Sequence, residues 1–228
     1  YCYAGGTLYD CLLISNSAAW GGGARCYSDG LLDRCIVRGN ESDHGGGVQL
    51  QSGGTVRNSL IIHNTGDEGG GVNFNFGGSL ENCTVCDNTA DTYGGGVYCN
   101  AGGEIVNCIL MYNTAWTSGQ NWYNDDTDSY YMHCDLLPTP SGPVAGPGLI
   151  STSPAFVDRE NGDYQLQVYS DCVNGGTNLD WVFSALDLAG DERVYDGIVD
   201  IGAYEFVPEP GCTLLLGLVL FATARKMN

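Results

Sequence analysis

The sequence predicts an all-β fold: a right-handed single-stranded parallel β-helix of about 24 residues per coil, with a C-terminal cap and a short hydrophobic C-terminal helix. Three observations carry this. Gly-Gly-Gly triplets begin at Gly21, Gly45, Gly69 and Gly94, at steps of 24, 24 and 25 residues. Apolar positions recur between them at the same step. After each triplet, apolar residues alternate with other types, and a Gly-Gly pair usually follows. A fixed period of this size means stacked units sharing one core rather than a closed globular domain.

Each unit can be followed in order. An apolar column, Leu8, Leu32, Val56, Leu80 and Ile105, opens it. Cys11, Cys35, Ser59, Cys83 and Cys108 come next, then Leu13, Val37, Ile61, Val85 and Leu110. An unbroken asparagine column follows: Asn16, Asn40, Asn64, Asn88 and Asn113. Equivalent residues of successive coils would stand about 4.8 Å apart, so this column can pass amide hydrogen bonds from coil to coil. Beyond the triplets come Val48 and Leu50, Val72 and Phe74, Val97 and Cys99. Each unit thus holds two or more short strands. The segment Leu8 to Asn16 also fits a leucine-rich repeat. The second half of the unit decides against it. Glycine costs about 1 kcal/mol relative to alanine in a helix, and alternating Val and aromatic residues favour strand.

The sixth unit loosens. Trp116 to Trp122 keeps one glycine, Gly119, where a triplet stood. Ser129 to Leu137 reads as strand, with Cys134 extending the cysteine column, and Cys172 is expected to extend it again. Pro138 to Gly148 reads as an irregular surface excursion. Pro154 to Val157 and Tyr164 to Leu166 read as strands. The chain therefore divides into β-helix coils over 1–149, last coils and a C-terminal cap over 150–206, and a sorting or membrane segment over 207–228.

Formal net charge is −19, with eight Lys and Arg residues. Nucleic acid binding needs a basic footprint, and the sequence has none. Arg25, Arg34, Arg38 and Arg57 read as surface arginines; Arg34 and Arg38 are placed in one strand. The eleven cysteines put Cys2 beside Cys26, Cys11 beside Cys35 and Cys83 beside Cys108. Small buried thiols and coil-to-coil disulfides both fit that spacing. Alternation sets Cys83 and Cys86 on opposite faces. Asp125, Asp126 and Asp128 are a weak candidate Ca²⁺ site, with a solvated acidic turn as the competing reading; no other cofactor is implied. Asp43, Asp67 and Glu68, extended by Asp91 and flanked by His44, form a possible acidic edge. His44, His63 and His133 otherwise read as surface or loop histidines.

After Phe206 the composition changes. Val207, Pro208, Glu209 and Pro210 precede an apolar run and then Arg225 and Lys226. This tail resembles the PEP-CTERM sorting signal of bacteria. The resemblance implies export, processing by an exosortase-type enzyme, transient inner-membrane contact of the tail, and a cell-surface or extracellular mature protein, often with exopolysaccharide. Gly45-Gly46-Gly47-Val48 and Ile61-Ile62-His63-Asn64 resemble the chlamydial polymorphic outer-membrane-protein repeat. Pro154 to Asp158, Gly162 to Leu166 and Asp200 to Phe206 resemble the end of bacterial choice-of-anchor Q proteins. The opening at Tyr1-Cys2, in mid-coil, suggests an N-terminally truncated fragment. Together the resemblances imply a surface or secreted β-helix protein and imply no reaction. The leading expectation is an exported surface, matrix or adhesin-like scaffold without catalytic activity, whose faces hold a glycan or another protein. The alternative is a polysaccharide lyase or glycoside hydrolase of the β-helix type, with its site partly in missing coils.

Overall fold

A computed structural model describes residues 1–208. The expected hydrophobic C-terminal helix, with Glu209, Pro210, Arg225 and Lys226, lies outside the described residues. Among those residues, no helix is long and apolar enough to cross a membrane; three short 3₁₀ turns, the first at Gly142–Val144, are the helical elements.

The chain winds into six stacked coils whose strands form parallel sheets on four sides. Sheet A holds Cys2–Tyr3, Ala24–Tyr27, Val48–Gln51, Val72–Asn75, Val97–Cys99 and Trp122–Asn124. Sheet B runs from Thr7–Tyr9 to Ser129–Met132, and sheet C from Leu12–Ile14 to Asp135–Leu136. Sheet D has four strands, from Glu41–His44 to Thr114–Ala115. Register follows the repeat: Val72 pairs with Val48 and with Val97, and Ile61 pairs with Val37 and with Val85. The single 25-residue step is absorbed by a bulge in sheet D, where Gly66 pairs with Ala90 but Glu68 pairs with Tyr93.

Left-handed backbone residues separate the sheets. Asp10, Arg34, Asn58, Asn82, Asn107 and His133 hold it between sheets B and C, where Asn and Asp tolerate positive φ best. Arg34 therefore sits in a corner, not in one strand with Arg38. In the triplets only the first glycine needs positive φ, +69° at Gly45. The other two are demanded by space. A Cβ on Gly46 would stand 2.2 Å from the Thr65 carbonyl oxygen, and one on Gly47 would stand 2.6 Å from that of Gly71.

The interior is one continuous stack. Leu32, Val56, Leu80 and Ile105 of sheet B meet Val37, Ile61, Val85 and Leu110 of sheet C and Val48, Leu50, Val72 and Phe74 of sheet A. Sheet D turns only small residues inward: Ser42, Gly66 and Ala90 are buried. The Pro/Gly-rich passage does more than skirt the surface. His133 N–H donates to the Pro147 carbonyl, Gly146 N–H donates to that of Tyr131, and Val144 packs into the core. This passage covers the open end of the stack.

Residues 150–206 were expected to supply last coils and a cap. They extend the parallel sheets by the bridge of Ile150 to Asp135 in sheet C; their two strands, Phe156–Asp158 and Asp163–Leu166, form an antiparallel pair. The segment lies along the flank of sheet C. The reason is the outward side of that sheet, where Leu60, Ile62, Cys86, Ile109 and Met111 form an apolar face. Tyr164, Leu166, Cys172 and Ile201 bury it. Cys172 belongs to this layer, beside Asp135, and does not continue the cysteine column. Corner asparagines fasten the layer: Asn58 donates to the Leu186 carbonyl, Asn82 to that of Asp200, and Asn107 to that of Thr177. Trp181 Nε1–H donates to Glu81, and the Tyr164 hydroxyl donates to Asp87.

Within the flank, Asp187, Arg193, Asp200 and Glu205 are all buried. Backbone amides satisfy the acids: Asp187 accepts from Gly190, Asp191 and Glu205, Asp200 from Asn174 and Phe206, and Glu205 from Tyr195 and Asp200. Arg193 donates to the carbonyls of Asp200 and Gly202 and stands 4.0 Å from Glu205. Acidic residues usually mark surface, but here they organise a loop-rich layer that has little regular structure.

Candidate functional site

The predicted site residues fall into three places. The first is the asparagine column, which forms a continuous ladder. Asn64 Oδ1 accepts from both the backbone N–H and the Nδ2 of Asn40, each at 2.9 Å. The Nδ2 of Asn64 donates to Asn88 Oδ1 at 2.9 Å and to the Val37 carbonyl at 3.0 Å. The pattern holds from Asn16 to Asn113, and Asn121 then takes the next rung although it is only eight residues on. The third triplet glycine makes room for it: a Cβ on Gly47 would lie 3.0 Å from Asn64 Nδ2. The ladder satisfies buried amides and is structural.

The cysteine column works in the same way. Cys35, Cys83, Cys108 and Cys134 each donate from Sγ to the carbonyl two residues earlier and to one in the preceding coil. Ser59 substitutes, its hydroxyl donating to the Arg57 carbonyl at 2.7 Å. The ten cysteines among the described residues are free thiols, nine of them buried. Burial pushes the Cys35 thiol up to about 11 and also raises the Cys108 thiol well above its usual value, which makes them poor nucleophiles. Cys83 faces the core and Cys86 the flank layer, on opposite sides of the strand.

The second place is the acidic edge on the outer side of sheet D. Pairing of Ser42 with Gly66 sets Asp43 beside Asp67. Asp43, Asp67 and Asp91 line one shallow cavity of about 110 Å³ with Glu41. His44 Nδ1 stands 3.1 Å from Glu68 rather than from an aspartate. The arginines are not gathered here. Arg57 pairs with Asp33 at 2.8 Å and lies over the Trp181 ring, Arg34 stands 3.9 Å from Asp10, and Arg38 is exposed.

The third place is the Asp125 to Asp128 turn. Asp125 accepts from the Tyr98 hydroxyl, and Asp126 accepts from the backbone N–H groups of Gly102 and Asp128, each at 3.1 Å. Among the described residues no group of three or more His, Cys, Asp or Glu side chains stands in a metal-holding arrangement. The Asp125 and Asp126 carboxylates are thus engaged by hydrogen bonds from the chain itself. Beside the turn is an aromatic row absent from the sequence-based expectations. Tyr123 stacks on Tyr93 at 4.6 Å and on Tyr98 at 6.0 Å between ring centres. Burial raises the Tyr98 phenol well above its usual value, and its bond to the Asp125 carboxylate adds to this. The tyrosines come from two sheets and two coils, so only the triplet corner brings them together. Their appearance at consecutive repeat positions, Tyr98 and Tyr123, was the available signal.

Residues 82–100 match the family model of the Chlamydia polymorphic membrane protein (Chlamydia_PMP) repeat. They run from the sheet B–C corner, through one asparagine rung and one triplet, into sheet A. The chain is a parallel β-helix repeat protein, and one of its coils is similar to that repeat. No curated protein and no solved structure matches the chain.

Proposed function

We propose that the chain is an exported cell-surface or extracellular-matrix scaffold of the adhesin-like kind, working without catalysis and in contact with surface glycan. The observation that carries this is the coil over residues 82–100, similar to a repeat of a polymorphic membrane protein, in a chain of net charge −19. A densely acidic rod repels its own copies and stays solvated outside the cell. The stack is rigid because every coil is tied to the next by sheet pairing and by the asparagine ladder. The flank layer protects the apolar side of sheet C, which leaves sheets A, B and D as the presenting faces. The tail, with Val207, Pro208, Glu209, Pro210, Arg225 and Lys226, fits a sorting signal cut by an exosortase-type enzyme after a transient stay at the inner membrane.

Whole-cell protease accessibility in the producing bacterium tests the reading. Degradation of the protein in intact cells is expected, with retention in the cell when Pro208-Glu209-Pro210 is replaced by alanines. Protection in intact cells and degradation only after lysis would overturn it. Turnover of a uronate or neutral polysaccharide, abolished by Asp43→Ala or Asp67→Ala, would replace the scaffold with an enzyme.

A further inference from the structure

The sixth coil has strands in sheets A, B and C but none in sheet D, which stops at Thr114–Ala115. Beyond that pair the chain follows sheet D irregularly, through the bridge between Tyr93 and Ser118 and backbone bonds from Trp116 to Ala90 and from Thr117 to Thr92. The missing strand leaves a step in the wall of the rod. It opens as a cavity of about 590 Å³, within the range of roughly 300–1,000 Å³ typical of small-ligand sites.

The lining is of one chemical character. Trp116, Trp122 and Tyr123 supply aromatic surface, and Ser118, Gln120 and Asn124 supply neutral polar groups; no charged residue lines it. Two of the rings are fixed. Trp122 Nε1–H donates to the Pro138 carbonyl at 2.7 Å and its ring packs on Tyr131, while Tyr123 is stacked on Tyr93. Trp116 is 84 % exposed. Asn124 Oδ1 accepts from the Tyr131 hydroxyl at 2.8 Å, but its Nδ2 is buried and has no partner in the chain. Leaving a buried donor unpaired costs about 1–3 kcal/mol.

We infer that this step is a subsite for a neutral oligosaccharide, stacked by a pyranose face on Trp116 with its hydroxyls toward Gln120 and Ser118. A pyranose pairs an apolar C–H face with a rim of hydroxyls, which matches aromatic planes set beside neutral donors and acceptors. Charge narrows the class. Asp125 follows the lining residue Asn124 on a chain of net charge −19, so uronate, sulfated or phosphorylated glycans are repelled. The inference rests on the proposed glycan contact and gives it a place.

The test is titration of the purified chain with neutral hexose and N-acetylhexosamine tetrasaccharides, and with a uronate tetrasaccharide, by calorimetry. Binding of a neutral tetrasaccharide is expected. Trp116→Ala is expected to weaken it by about 10-fold, equivalent to ~1.4 kcal/mol for one lost stacking contact. Trp116→Phe should weaken it less, and Trp20→Ala, at the far end of the rod, should leave it unchanged. Equal affinity in Trp116→Ala, binding of the uronate alone, or no neutral saccharide bound at millimolar concentration would each overturn the proposal. Binding of an extended peptide at the free edge of Thr114–Ala115, in place of sugar, would overturn it too. The measurement does not depend on export, so failure of the surface-accessibility experiment leaves it standing, and its own failure leaves the surface reading standing.

Discussion

Asn64→Ala interrupts the ladder at its middle. Asn64 is 1 % exposed. Its side chain takes part in four hydrogen bonds: it donates to Val37 and Asn88 and accepts twice from Asn40. At about 1 kcal/mol net for each, the loss is about 4 kcal/mol. It includes leaving the Asn40 N–H without an acceptor in a dry corner. Asn16→Ala removes only the Nδ2 bond to Asn40, since the backbone N–H that also donates to Asn40 Oδ1 is kept. About 1 kcal/mol or less is expected at this exposed end. Urea unfolding followed by far-ultraviolet circular dichroism compares the two variants with the parent chain. A large fall in midpoint for Asn64→Ala and a small one for Asn16→Ala is the expected outcome. Equal effects, or a cost below ~1 kcal/mol at Asn64, would refute the view that buried rungs stabilise the coil stack.

Gly47→Ala is expected to destabilise by more than the ~1–3 kcal/mol of ordinary overpacking, because the added Cβ would meet the Gly71 carbonyl oxygen at 2.6 Å; a thermal midpoint equal to the parent's would contradict the packing account. Burial pushes the Glu205 carboxyl up to about 7 from 4.5, the nearby Asp200 charge adds to this, and bonds from the Asp200 and Tyr195 amides and the charge of Arg193 oppose it. The folded chain therefore holds this proton more tightly than the unfolded chain. Its stabilising effect is complete below the unfolded value of 4.5 and is lost as pH rises to about 7, at most ~3 kcal/mol. Thermal scans should show a higher midpoint at about pH 5 than at about pH 8, with Glu205→Gln flattening the slope; a slope unchanged in that variant would count against it. Thiol labelling of the native chain with peptide mapping should reach Cys11 and spare the nine buried cysteines among the described residues. Rapid modification of Cys83 or Cys108 would show that the column is open to solvent.

Much of the stack was legible because its causes are periodic. A column such as Leu32, Val56, Leu80 and Ile105 exists because equivalent positions of successive coils touch. The asparagines read correctly for the same reason, and Cys83 and Cys86 separated by simple alternation. Legibility failed where contacts cross the period. Asn121 joins the ladder after eight residues because it occupies the third triplet position, just before Trp122, which pairs with Val97, and so stands beside the rung of Asn113. Cys172 has a cysteine's usual liking for a buried site, which two different cores can satisfy, and it went to the flank. The flank itself had a signal in the unbroken runs Leu60-Ile61-Ile62 and Ile109-Leu110-Met111, since strands buried on both faces do not alternate. What covers such a face cannot be deduced from the face alone. Buried Asp187, Arg193, Asp200 and Glu205 were hidden by the opposite habit of charged residues. The aromatic step depends on a strand that is absent from sheet D, which no local pattern announces.

The ladder also has a direction. Between rungs, each asparagine amide donates toward the later coil and its oxygen accepts from the earlier one, from Asn16 through Asn113 to Asn121, whose Nδ2 delivers the last bond to the Leu137 carbonyl, while the inner rungs also return an Nδ2 bond to an earlier carbonyl such as Val37. The strands of a parallel sheet exchange bonds both ways, so their backbone dipoles across the coils largely cancel. The side-chain amides do not cancel. They add into a dipole along the rod axis, oxygen end toward the first coil and N–H end toward the sixth, and each rung polarises its neighbours. Two rods laid side by side therefore differ electrically between parallel and antiparallel arrangements, although their acidic surfaces are alike.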